Sequence, residues 1–444
     1  MMTELNVRVS RFFYFTLILA VFALPPSLAV GQSQWQKYVG NPVLSPEPQS
    51  GIIGYSDPAL LFDGATFHLW ITGGGFVPGD TTAGVRTYYY TSADGFSWQA
   101  NPTNPVFIEG AAGVWDSGHI ETPSVILSSE EFWLYYSATP DSMADDGTQL
   151  KFGLATSQDG QSWIRHPANP ILERGLPGSW EERQIESPTV LKTDSLFYMW
   201  YNGTDVEWQI HVGLATSVDG IHWQKYPGNP VFSPSRESAW DSVGVYAPQV
   251  RWLSSRFVML YTGLVFSKTG YDFTNTNTGM AVSEDGINWI RASHQPVLSG
   301  TPQAWDASGP FTLDWIATND QLLMVYVSGG KVGVATSPVD VVHVDRDENK
   351  QPEEYVLFPN YPNPFNSKTM IAYRLSTVSN VELIVFDVLG EEVVTLIKKK
   401  QPAGDYLVRW NGRNDEGRGV ASGIYFYRLK AGTFVQTKKL LLLR

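Results

Sequence analysis

Apolar and polar residues alternate in short runs along most of the chain. Outside the N-terminus no long stretch carries apolar residues at helical spacing. Aromatic-rich runs at 67–71, 132–136, 197–201, 257–261 and 322–326 read as strands. A turn motif recurs among them: Ser92-Ala93-Asp94-Gly95-Phe96-Ser97-Trp98 returns at 157–163, 217–223 and 283–289 as S-x-D-G-x-x-W. Its aspartates, Asp94, Asp159, Asp219 and Asp285, lie 65, 60 and 66 residues apart. Asp-Gly between strands predicts a tight hairpin, because Gly takes positive φ and Asp bonds its own backbone. Around each turn lie a Gly-Leu-Ala-Thr-Ser-like strand, an Asn-Pro-Val-like element and a Trp-acid pair (Trp115-Asp116, Trp180-Glu181, Trp240-Asp241, Trp305-Asp306). A proline-started strand and the aromatic strand complete the unit. Four short strands per unit are the content of one propeller blade.

Five such units are predicted, and the fifth lacks its turn after Ser337. The missing piece stands at the other end of the chain, where residues 35–43 copy 223–231 closely. The N-terminal strand is expected to complete the last blade and close the ring, removing two exposed sheet edges. The expected fold is therefore all-β, a five-bladed β-propeller over residues 32–342. Residues 343–355 are a charged, solvated linker. After it, alternating strands at 373–375, 381–386, 392–396, 406–410 and 424–429 predict a small immunoglobulin-like β-sandwich at 356–444.

Composition adds three bounds. Aromatics reach 13% and charged residues only 17%, with 40 Gly and 28 Pro, which suits many strands joined by tight turns. The net charge of −13 is uneven: from Val356 onward 13 Lys and Arg face 7 Asp and Glu, which leaves −19 on the rest. An acidic main body argues against a nucleic-acid partner. Absence of cysteine excludes disulfides, thiolate catalysis and Cys-ligated zinc. No ligand motif declares a cofactor, although a structural cation such as calcium is compatible with a channel axis. At the N-terminus, Arg8 and Arg11 precede a 13-residue apolar run at 12–24, then Pro25-Pro26 and small residues. Residues 1–31 read as a signal peptide cleaved after Ala29 or Gly31, since the run is short of the roughly 20 residues that span a bilayer. No membrane span is expected in the mature protein.

The last ninety residues carry a resemblance. Phe358-Pro359-Asn360-Tyr361-Pro362-Asn363-Pro364-Phe365-Asn366, Phe386-Asp387-Val388-Leu389-Gly390, Trp410-Asn411-Gly412, residues 421–427 and the Lys438-Lys439 tail resemble the C-terminal sorting domain of type IX secretion cargo. The resemblance implies the type IX machinery as partner and release at, or attachment to, the outer-membrane cell surface.

Candidate chemistry lies at the proline-started strands. Ile120-Glu121-Thr122-Pro123 and Ile185-Glu186-Ser187-Pro188 place a glutamate two positions before the proline, and Ser56-Asp57-Pro58 places an aspartate one position before it. The fourth and fifth copies, Tyr246-Ala247-Pro248 and Ser308-Gly309-Pro310, carry no acid. If these strands are innermost, Asp57, Glu121 and Glu186 meet in one funnel. Clustered carboxylates repel, so one retains a proton, and acid beside base is the requirement for glycosidic cleavage. The acids of the Trp-acid pairs recur in four units and read as scaffold. Trp70, Trp200 and Trp208, with Tyr136 and Tyr261, are candidate sugar-stacking faces. His119, Arg183 and Tyr246 are candidate substrate contacts.

This region, about residues 35–338, resembles the five-bladed glycoside hydrolases, the broad group that contains families 32, 43, 62, 68 and 130. Asp57-Pro58 matches the first-blade Asp-Pro that carries the general base, and Glu186-Ser187-Pro188 the third-blade Glu-x-Pro of the general acid. The resemblance also implies a pKa-tuning aspartate just after the second-blade proline, where this chain has Ser124, so Glu121 is the candidate for that role. The leading expectation is a secreted glycoside hydrolase with a carbohydrate substrate. Alternatives are a non-catalytic glycan-binding or adhesive propeller, a sialidase-like enzyme and glycan phosphorolysis.

Overall fold

The computed structural model describes residues 35–443, apart from 48–50, 77–82, 129, 141–149, 194–195, 236–237, 254–255, 268–269, 319–320, 339–354, 358–359, 361–364 and 366–368. The predicted signal peptide, nearly all of the predicted linker and most of the Pro-Asn motif at 358–366 lie outside the described residues. Those described form strands, turns and loops, without a helix.

The first unit orders Ile52–Phe62, Phe67–Phe76, Ala83–Ser92 and Gln99–Ala100, and the second His119–Ser128, Glu131–Thr139, Lys151–Ser157 and Ile164–Arg165. The third comprises Gln184–Lys192, Phe197–Thr204, Ile210–Ser217 and Gln224–Lys225. It joins the fourth (Gly244–Leu253, Arg256–Leu264, Asn277–Ser283, Ile290–Arg291) through one parallel pair, Ile210 with Gly244. The last sheet runs Thr312–Ala317, Gln321–Ser328, Lys331–Pro338 and then Gln36–Lys37, so the N-terminal strand supplies its outer edge as the repeat predicted. The first strands of successive units contact one another, and the last contacts the first, so they form a closed inner ring.

Two repeated polar devices hold this arrangement. In each turn the serine hydroxyl bonds the aspartate, as Ser92 to Asp94 at 2.9 Å, and accepts the glycine N–H. The aspartate Oδ1 accepts the next two N–H groups, which closes the loop without help from solvent. The Trp-acid carboxylates are nearly fully buried, and each meets a cation from its unit's outermost strand. The pairs are Asp116 with Arg165, Glu181 with Lys225, Asp241 with Arg291 and Asp306 with Lys37, at 2.6, 2.6, 2.9 and 2.6 Å. Burial of an acid is tolerated only with such a partner. The fourth pair bolts the N-terminal strand into the last sheet.

In the C-terminal region, Val356–Leu357, Thr369–Leu375 and Gly404–Trp410 form one sheet, and Glu392–Gln401, Ser379–Phe386, Gly423–Ala431 and Phe434–Leu442 another. Ile371, Tyr373, Leu383, Val385, Trp410, Tyr427 and Leu429 share one buried core, the inner faces of a two-sheet sandwich.

Candidate active site

The site is built on a defect in the inner strands. Asp57, Thr122, Ser187 and Ala247 take φ of +46, +50, +52 and +47°, each just before a proline. Strand register slips at these points: Glu186 faces Asn202 but the next facing pair is Thr189 with Trp200. The same jump separates Ser56 from Pro58, Glu121 from Ser124 and Tyr246 from Gln249. A β-bulge of this kind breaks the alternation and re-aims neighbouring side chains. Left-handed backbone is uncommon for residues with a Cβ and recurs at functional sites. The bulge amides are satisfied from the preceding unit: Asp57 N–H donates to Thr312 Oγ1, Thr122 N–H to Thr72 Oγ1 and Ala247 N–H to Asn202 Oδ1, at 2.8, 3.2 and 2.7 Å.

The fifth strand differs from expectation. Thr312–Ala317 starts after Gly309-Pro310 and pairs without a register shift, so Thr312 takes the position that Glu121, Glu186 and Tyr246 hold in their strands. Asp57 lies one residue further, on the bulge itself. It therefore lines the narrow axial cavity with Thr122, Ser187, Ala247 and Thr312, where the space open to a water-sized sphere is about 10 Å³, the scale of one water.

Tyr246 gathers the acids. Its hydroxyl donates to Glu186 Oε1 at 2.7 Å, and Gln184 Nε2 donates to Oε2 at 2.5 Å. Burial first, then the negative charges of Glu186, Asp57 and Glu121, hold the Tyr246 phenol well above its ordinary range. Of the three carboxylates predicted from the sequence, Glu186 bonds this phenol directly, and Asp57 and Glu121 act on it through their charge. Burial pushes Asp57 up to about 6, against hydrogen bonds from Ser56 and Thr72 that pull it down. Burial, the cause of the Asp57 shift, disfavours the charged form of a carboxyl and so favours retention of its proton. Gln184 suits either state of Glu186, since its NH₂ donates to a carboxylate and its carbonyl accepts from an acid.

Two predicted stacking faces are corrected. Trp70 and Trp200 are fully buried, and their indole N–H groups donate to the turn carbonyls of Gly160 and Gly286, both at 2.8 Å. Each is a wedge between units that seals the next unit's turn. Second-strand position alone does not distinguish a side chain facing the funnel from one facing the neighbouring sheet. Tyr136 and Tyr261 are likewise fully buried, and their hydroxyls donate to Asp116 and Asp241. Trp208, by contrast, is 41% exposed, with the Arg183 guanidinium 4.1 Å from its ring centre. His119 opens the second inner strand, half-buried, two residues before Glu121 and hence on the same strand face. Ser124 is buried and accepts the Val190 N–H at 3.1 Å, a bond between units rather than a role in the cluster.

Sequence reasoning missed Gln184, Phe311 and a hairpin, Phe266–Ser267 with Gly270–Tyr271. The signal for the hairpin was present, because Tyr261 and Gly279 are 18 positions apart where Tyr201 and Gly213 are 12.

Comparison with known proteins agrees in fold. The Glycosyl hydrolases family 32 N-terminal domain matches residues 190–332, and the FlgD Ig-like domain matches residues 366–433. A 1,2-β-oligomannan phosphorylase of Thermoanaerobacter sp. is 24% identical over 213 residues, 46% of this chain and 62% of the relative. The chain thus spans less than two thirds of that relative's length. Among solved structures, a β-1,2-mannobiose phosphorylase of Listeria innocua aligns over 69% of this chain and 98% of its own, with a TM-score of 0.53 and 13% identity. Another comes from work on family 130, whose mannoside phosphorylases include hydrolases of β-1,2 mannosidic linkages in Candida mannan. It aligns over 70% of this chain and 95% of its own, with a TM-score of 0.54 and 18% identity. The shared fold is that of propeller-like glycosidases.

Proposed function

We propose that this chain is a glycoside hydrolase built on a five-bladed propeller, acting on β-linked mannosides. The observation that carries the reading is the buried Tyr246 phenol, which donates to Glu186 and feels the charges of Asp57 and Glu121. Asp57 acts as base or nucleophile, Glu186 protonates the leaving oxygen, and Glu121 tunes the pair. The 1,2-β-oligomannan phosphorylase relative, 24% identical over 213 residues, supports the mannoside class. We read the reaction as hydrolysis because an acid beside a base is what protonation of the leaving oxygen and activation of water require. The C-terminal sandwich, in the same reading, is the module that directs the exported enzyme through type IX secretion to the cell surface.

Incubation with β-1,2-mannobiose, with and without inorganic phosphate, tests the reaction. Mannose released equally in both is the expected result. Mannose 1-phosphate formed only with phosphate would make the protein a phosphorylase. Binding of mannosides without turnover would return it to a glycan-binding propeller.

The pH profile follows from Asp57. A base must be ionised, so kcat/KM should fall about tenfold per pH unit below about 6, and Asp57→Asn should abolish that limb. Stability runs the other way. The folded state holds this proton more tightly than the unfolded chain, so Asp57 stabilises the protein below about pH 4 and loses that contribution as pH rises through about 6. Melting curves of wild type and Asp57→Asn at pH 5 and 7.5 measure the second effect separately.

A further inference from the structure

A line of aromatic rings leads away from the carboxylates, and the repeat does not require it. Tyr246 stacks on Phe311 at 5.6 Å and 20°, and Phe311 meets the edge of Phe273 at 5.2 Å and 81°. Phe273 lies 5.8 Å from Tyr271, which stacks on Phe266 at 5.7 Å. Three of these five rings come from the fourth unit's extra segment between Leu264 and Asn277. Phe266 and Phe273 are half exposed, at 50% and 49%. On the flank, the Tyr271 hydroxyl donates to the Trp208 carbonyl at 2.6 Å. Trp208 itself stands at φ +62°, in a turn closed by Asp205, whose Oδ1 accepts the N–H groups of Glu207 and Gln209. A bulky residue holds that backbone conformation only when its surroundings impose it.

Phe311 and Tyr271 pack against the buried Tyr246 and Leu264, and Phe266, Phe273 and Trp208 stand exposed beside them; exposed aromatics continuous with a polar cluster mark a ligand surface. A sugar ring offers an apolar C–H face and a hydroxyl rim. The wall supplies rings for the first, and Arg183, Asp205 and Glu207 stand near its edge for the second. Four ring-to-ring steps of 5.2–5.8 Å reach beyond the space of a single sugar at Glu186. We propose that the wall formed by Phe311, Phe273, Tyr271, Phe266 and Trp208 is a platform for an extended glycan, so the substrate is an oligo- or polysaccharide longer than a disaccharide. The proposal rests on the glycoside reading above.

The test is calorimetric titration of the full chain carrying Glu186→Gln with β-1,2-linked manno-oligosaccharides of increasing length, alone and with Phe273→Ala or Phe266→Ala. Affinity is expected to rise with length, and each alanine to cut the longer ligands by roughly 3- to 10-fold while leaving the disaccharide unchanged. Both phenylalanines are half exposed, so a variant that fails to fold leaves the other to decide. Affinity independent of length, or lost equally for all ligands, overturns the platform while the glycoside reading stands. Absence of binding by every oligosaccharide overturns both.

Discussion

Glu186→Gln should lower kcat by 10²- to 10⁴-fold and leave the melting temperature nearly unchanged. The range is what a positioned proton-transfer group contributes. The substitution keeps the volume and an oxygen that can accept from the Tyr246 hydroxyl, so the hydrogen bond seen at 2.7 Å survives. It removes the one group in the third inner strand that can give or take a proton at the funnel. Loss of a negative charge from a crowded anionic cluster offsets any disturbance of Gln184. Asp57→Asn should be comparably damaging, whereas Glu121→Gln, at the residue proposed to tune the pair and not to transfer a proton, should cost less and shift the pH optimum instead. A mutant that folds and turns over at the wild-type rate would remove Glu186 from the mechanism.

The sequence made the scaffold legible because its repeat is literal. Identical turns with Ser, Asp, Gly and Trp specify a tight loop wherever they occur, and residues 35–43 could be matched to 223–231 without reference to coordinates. The acids stood out for the same reason, as departures from a repeated background, and Glu186 is the one whose contact with Tyr246 the fold displays. Direction was not legible. Strand alternation gives a side chain's face only while the register holds, and the bulges at Asp57, Thr122, Ser187 and Ala247 break it. That is why Asp57 lines the axis while Glu186 turns to Tyr246; the fifth strand has no bulge, and there Thr312 rather than Gly309-Pro310 fills the position. Trp70 and Trp200 failed for a related reason. A large aromatic serves as well for wedging between sheets as for stacking on sugar, and only the carbonyl waiting at Gly160 or Gly286 decides which.

Ring closure makes the other large prediction. Asp306→Ala should destabilise the propeller by about 2–4 kcal/mol, the cost of losing the ion pair with the partly exposed Lys37 and of leaving buried donors without this acceptor. Asp306 is 1% exposed and accepts from Lys37 Nζ at 2.6 Å, Tyr326 Oη at 3.1 Å and Thr301 N at 3.3 Å, so its loss removes an acceptor from three donors. Lys37 also reaches Ser299 O and Thr301 Oγ1, and it carries the strand that covers the free edge of the last sheet. The melting temperature should drop by roughly 10 °C, given about 2–4 °C per kcal/mol in domains of somewhat smaller size. Asp241→Ala removes the equivalent acid in the fourth unit, where the partner Arg291 is local in sequence and closes no ring. If the N-terminal strand is the clasp, Asp306→Ala should in addition expose residues 35–44 to protease in the native state, and Asp241→Ala should not. Equal protection of that segment in both variants would mean that the backbone pairing of Gln36 and Lys37 with Thr336 and Ala335 holds the ring without the ion pair.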